Sequence, residues 1–297
     1  MEKMPLQDIL NNIHETIAGF RGGVSNDVMY DSVWDGTADT AWYSSNPAAT
    51  AYTLSTAREL AGLAQLVNNG TNSFAGVDFK LAGNLNLNNR QWTPIGFYNG
   101  TDNTNCFQGN FDGDDYVIGN LKIEGDIQYA GLFGYQYNGN GGETMWIKNL
   151  HLKGVKININ SSSSANAGGI VGYQSGGGNQ TIAFCYFVGT ITATGSTIYK
   201  GTICGQVGSN STITSSYYNS TIISSTSGFT VVNGTGATTA QMLTRSTYLN
   251  WNFSLVWLMN AYDSRYPRLK TFALNRVPLI KGIRSKIGTI YRIWTSQ

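Results

Sequence analysis

The carboxylates of this 297-residue chain set the first limit on its chemistry. Glycosidic hydrolysis ordinarily takes two carboxyl groups about 5 to 9.5 Å apart, and residues 144 to 262 contain no Asp or Glu. The candidates are confined to Asp112, Asp114, Asp115, Glu124, Asp126 and Glu143. Asp112-Gly-Asp-Asp115 reads more readily as a turn, because Asp-Gly is a preferred turn pair, and it lacks the full ligand spacing of a calcium loop. Nucleophilic catalysis has still less to draw on. The histidines are His14 and His151, no Gly-x-Ser-x-Gly accompanies them, and the alternation Leu150-His-Leu152 turns His151 outward as a surface residue. Gly176-Gly-Gly178 lacks the lysine of a phosphate loop. Cys106, Cys185 and Cys204 have no metal-ligand spacing and read as small buried apolar side chains. The chain is therefore expected to be non-enzymatic, with no cofactor and no metal.

Recognition is the chemistry that remains. Tyrosine rings offer flat apolar faces to sugar rings, and Asn and Thr supply hydrogen bonds. Tyr135, Tyr137 and Tyr173 are the ligand-binding candidates; packing at a corner of the fold is the alternative role for them.

The elements that must carry these residues repeat. Tyr129-Ala-Gly-Leu-Phe-Gly-Tyr135, Ala167-Gly-Gly-Ile-Val-Gly-Tyr173 and Lys200-Gly-Thr-Ile-Cys-Gly-Gln206 match position by position. Between them runs a second pattern, in which Ile118, Ile147, Ile182 and Ile213 each precede, by five residues, Ile123, Leu152, Phe187 and Tyr218. A repeat of that length with short strands and no helix reads as one coil of a solenoid. In a parallel β-helix equivalent strands stack about 4.8 Å apart, so the tube needs ladders of like apolar residues. The expected ladders are Ile118, Ile147, Ile182, Ile213 and Ile123, Leu152, Phe187, Tyr218. Glycines mark corners where a Cβ would clash, and polar inserts such as Asn158 to Asn166 bulge outward. A β-sandwich also gives short strands and Gly-rich turns, but it has no reason to repeat at this period.

The fold class is thus all-β, a parallel β-helix capped at both ends, with a short N-terminal amphipathic helix. Residues 1–23 form that helix and a glycine hinge, with Leu6, Ile9, Leu10, Ile13 and Ile17 on one face as an anchor or oligomerisation stripe. Residues 24–73 form an N-terminal cap whose helix opens with the capping box Thr56-Ala-Arg-Glu59 and buries Leu60, Leu63, Leu66 and Val67. Residues 74–237 are the β-helix body, 238–270 a C-terminal cap, and 271–297 a basic extension. Caps are required because an open solenoid end exposes strand edges.

Charge is balanced overall and unbalanced locally. Residues 1 to 143 hold 16 acidic and 6 basic side chains, whereas residues 144 to 297 hold 1 acidic and 13 basic. The basic tail, with Arg276, Lys281, Arg284, Lys286 and Arg292, is a second candidate docking element for an acidic partner. Nucleic acid is not expected as that partner, because Tyr291 and Trp294 are too few for a stacking platform.

The Gly-Leu-Phe-Gly and Gly-Ile-Val-Gly repeats resemble the GLUG motif of bacterial surface proteins and similar phage fibre or spike proteins. Trp34-Asp-Gly-Thr-Ala-Asp-Thr-Ala-Trp-Tyr43 looks like the opening of those domains, as does Thr56 to Asn68. Trp92-Thr-Pro-Ile-Gly96, Gly109-Asn-Phe-Asp-Gly113, Trp251-Asn-Phe253 and Tyr266-Pro-Arg-Leu269 extend the likeness over residues 33 to 270. The resemblance implies a parallel β-helix used in surface display and adhesion, with no shared catalytic residues.

No secretory signal is read at the N-terminus, and no apolar run approaches the roughly 20 residues of a membrane span. The expectation is a phage virion fibre, spike or decoration protein that binds a host-surface glycan or protein. It would dock on assembly proteins through the helix or the basic tail, as a homo-oligomer such as a trimer. A bacterial cell-surface adhesin is the first alternative and a glycan depolymerase spike the second.

Overall fold

The computed structural model describes residues 30–139, 143–223, 233–251, 253, 257–258 and 266–269. Over these residues the chain winds into a parallel β-solenoid of about four turns. The expected N-terminal stripe, Leu6 to Ile17, and the basic tail, Arg276 to Arg292, lie outside the described residues.

A turn passes through a six-stranded sheet, an eight-stranded sheet and two three-stranded sheets. Ala51–Leu54, Asp78–Leu81, Asn110–Asp112, Met145–Lys148, Gln180–Ala183 and Ser211–Thr214 make up the six-stranded sheet. Its inward column is Tyr52, Phe79, Phe111, Ile147, Ile182 and Ile213, each paired with the next in register. In the eight-stranded sheet the column is Leu85, Ile118, Leu152, Phe187 and Tyr218. Phe79, Phe111, Ile147 and Ile182 are fully buried, as are Leu85, Ile118, Leu152 and Phe187. Each such burial stabilises the stack by about 1.5–3 kcal/mol.

These registers correct the expected ladders at their first rung. Phe111, not Ile118, pairs with Ile147, and Ile118 pairs with Leu152. Ile123 belongs to a third column with Ile157 and Ile191. The cause is the turn at Gly113 to Tyr116. It makes the step from Phe111 to Ile118 two residues longer than the step from Ile147 to Leu152, so five-residue spacing picks the wrong pair. Asn158 to Asn160 also stay in the long strand His151–Asn160 rather than bulging, with Ile159 buried.

The helix Ala57–Asn68 has the expected capping box: Thr56 accepts from the Glu59 amide and Glu59 accepts from the Thr56 amide. Leu60, Leu63, Leu66 and Val67 are buried in the solenoid core. Stacked strands start before that helix, at Ser32–Val33 and Ala51–Leu54.

The C-terminal segment takes an unexpected position. Met242, Tyr248, Trp251 and Phe253 form a second core with Tyr186 and Tyr217, which pair on the side of the eight-stranded sheet that alternates away from Phe187 and Tyr218. Part of this segment therefore lies against the outer face of the sheet. Its consequence is a correction at His151: alternation does send the side chain outward, yet His151 is fully buried. The imidazole stacks on Tyr186 at 4.1 Å and lies parallel to Trp251 at 5.9 Å.

Candidate functional site

The glycine motif builds a re-entrant corner. The strands Tyr129–Ala130, Ala165–Ala167 and Ile198–Lys200 form one three-stranded sheet, and Phe133–Tyr137, Val171–Ser175 and Cys204–Gln206 the other. Ala130, Ala167, Phe133, Val171 and Cys204 face the core. On the outer side the two sheets fold together until Tyr129 meets Tyr135, ring centroids 4.9 Å apart.

The second glycine of each motif permits that approach. A Cβ on Gly134 would stand 3.1 Å from the Tyr129 carbonyl oxygen, and one on Gly172 would stand 3.1 Å from that of Asn166. A Cβ on Gly205 would be 2.7 Å from the Ala167 amide nitrogen. The shortest contacts are to the rung below, where a Cβ on Gly134, Gly172 or Gly205 would stand 2.3, 2.6 or 2.6 Å from the carbonyl oxygen of Gly96, Gly134 or Gly172. Backbone that close cannot be relieved by moving a side chain, so the motif records close packing between rungs as well as across the corner.

Tyrosines gather over this corner. Tyr135 is nearly buried at the centre, in edge contact with Tyr129 and Tyr173 and stacked on Tyr98 at 5.8 Å. Burial pushes the Tyr135 hydroxyl up to about 12 and raises that of Tyr129, so both stay protonated and able to donate. Tyr98 sits on a loop with little freedom. Asn99 Oδ1 accepts from the Thr101 and Asp102 amides, Asp102 Oδ1 accepts from Thr104, and Asn105 donates to the Asn68 carbonyl. This lip is preorganised before any ligand arrives.

Of the sequence candidates, Tyr135 and Tyr173 come together here. Tyr137 does not join them; it lines a small pocket with Gln108, Asn110, Asn138 and Glu143. Tyr98, Tyr129 and Tyr199 were not among the candidates. Tyr129 opens the first repeated segment, which was a usable signal, whereas Tyr98 lies outside the repeat and left none.

The carboxylate turn is occupied by structural contacts. Asp112 Oδ1 accepts from the Asp114 amide and from Asn149, while Lys148 lies 3.5 Å from the other oxygen. Asp114 pairs with Lys80 at 3.1 Å. Asp115 is nearly buried, 3.7 Å from His151 Nε2. Desolvation, reinforced by Asp112 and Asp114, pushes its carboxyl up to about 9, and desolvation lowers His151 to about 3. At neutral pH the two are a neutral acid beside a neutral imidazole rather than an ion pair. All three cysteines are buried free thiols. No group of three metal-ligating side chains occurs among the described residues, and no described helix is long and apolar enough to cross a membrane.

The chain matches no protein-family profile and no curated protein sequence. A solved structure described as "a putative immunoglobulin A1 protease from Bacteroides ovatus" is similar at 17% identity and a TM-score of 0.39, covering 74% of this chain and 92% of that one. That description runs against the expectation of a protein without enzymatic activity, which is withdrawn. The likeness assigns no catalytic residue here.

Proposed function

We propose that this chain is a surface-displayed recognition protein of the GLUG type, and that the tyrosine cluster at its re-entrant corner binds a glycan. One observation carries the reading: Tyr98, Tyr129, Tyr135 and Tyr173 converge on one rigid corner. Their rings suit the apolar faces of sugars and their hydroxyls suit sugar hydroxyls. The repeated glycines support membership of the GLUG group, because the steric demand at Gly134, Gly172 and Gly205 is what that motif serves here.

The setting proposed is a virion, where a fibre, spike or decoration protein assembles in the cytoplasm and leaves by lysis. A bacterial cell surface is the alternative, and the same tyrosine cluster would serve it. Mass spectrometry of purified particles separates the two: peptides of this chain at structural stoichiometry place it on the virion, and their absence removes that setting. Glycan-array binding by the purified chain tests the recognition itself. Binding that fades with Tyr173→Ala is expected, and binding indifferent to every tyrosine of the corner would refute the reading.

A further inference from the structure

Resting on the glycan reading, we infer that the ligand is a neutral, linear glycan chain lying parallel to the solenoid axis, not a terminal monosaccharide. The register supplies the argument. Two columns border the corner, Tyr129, Asn166, Tyr199 on one sheet and Tyr135, Tyr173, Gln206 on the other. Each climbs the axis over three rungs, with rungs about 4.8 Å apart. Asn166 and Tyr135 are buried, so the side chains open to a ligand are Tyr129, Tyr173, Tyr199 and Gln206, at least one on every rung, and a pyranose ring is about as long as one rung step. A ligand that repeats along its length fits a site that repeats along its length.

The columns also define the charge of the occupant. All six side chains are uncharged tyrosines or amides at neutral pH. The outer face of the six-stranded sheet is different, with Asp78, Lys80, Asp112 and Lys148 along it. The six side chains of these columns carry no charge, Lys200 beside Tyr199 being the cation next to them in the chain, and the amide of Gln206 matches hydroxyl groups in both donor and acceptor senses. Tyr199 stands at the far end of its column from Tyr129, so it should touch only a chain long enough to reach it.

The test is a calorimetric titration of the full chain with β-1,4-linked glucose and N-acetylglucosamine oligomers, from the monosaccharide to the hexasaccharide. Oligogalacturonates of the same lengths serve as the acidic comparison. Affinity should rise roughly three- to tenfold per added sugar to about three units and then level off, as expected if each further sugar ring meets one more rung of the columns. It should also change little with salt. Tyr199→Ala should weaken the trisaccharide and longer chains while leaving the disaccharide and the circular dichroism spectrum unchanged. Equal affinity for monosaccharide and hexasaccharide, an effect of Tyr199→Ala at every length, or tighter salt-dependent binding of the oligogalacturonates would overturn this inference and leave the glycan reading standing. No binding of any probe by the folded protein would overturn both.

Discussion

The indole of Trp251 lies 12° from parallel with the His151 imidazole, 5.9 Å away, with Tyr186 stacked on the same imidazole at 4.1 Å. A residue from the C-terminal segment thus covers a histidine in the middle of the solenoid wall. Without that cover the imidazole, Tyr186 and Tyr217 would form an exposed aromatic strip on the sheet.

Trp251→Ala should therefore destabilise the protein by about 3–5 kcal/mol, the range for removing a large buried aromatic ring. Urea unfolding followed by near-ultraviolet circular dichroism measures it. An unchanged midpoint would mean that the segment does not seal the sheet.

Asp115 gives the stability a dependence on pH. Its carboxyl titrates near 3.8 when unfolded and is held up to about 9 when folded. The folded state therefore retains a proton that the unfolded state releases, and stability falls as pH rises from about 4 to about 9. His151 acts in the opposite direction, because its lowered value removes stability as pH falls from about 6.5 towards about 3. Asp115→Asn keeps the shape without the ionisation. Its advantage over the parent should grow by up to about 1.4 kcal/mol per pH unit on going from weakly acid to alkaline buffer, read by thermal unfolding. An advantage that is constant with pH would contradict the assignment.

Gly172→Ala should cost about 1–3 kcal/mol, because its Cβ would stand 2.6 Å from the Gly134 carbonyl oxygen. Gly177→Ala is the matched control. It meets nothing within 4 Å and should leave the unfolding midpoint within error of the parent. Equal effects of the two substitutions would show that the motif glycines are not there for close packing.

The repeat made the solenoid legible, since Phe133, Val171 and Cys204 do stack as the glycine segments imply. Pairing by five-residue spacing failed at Ile118, because the longer turn after Phe111 changes the spacing while keeping the register of the strands. Period-two alternation was correct for the direction of His151 and wrong for its burial. Alternation reports which side of a strand a residue takes, and nothing local reports that a segment one hundred residues away will cover that side. The site was half legible for a related reason: Tyr135 and Tyr173 recur with the repeat, whereas Tyr98 reaches the corner through a loop whose position depends on Asn105 and the helix ending at Asn68.

The central claim is that the tyrosine corner is where a glycan binds. Its most direct test compares Tyr173→Ala at the corner with Trp146→Ala on the six-stranded sheet, which carries an aromatic ring under Lys148 on a different face. Both are titrated with the tightest glycan found for the parent chain. The account predicts an affinity loss of roughly tenfold or more for Tyr173→Ala, equivalent to about 1.4 kcal/mol, and none for Trp146→Ala. Loss on Trp146→Ala with Tyr173→Ala silent would place recognition on the other face and contradict it.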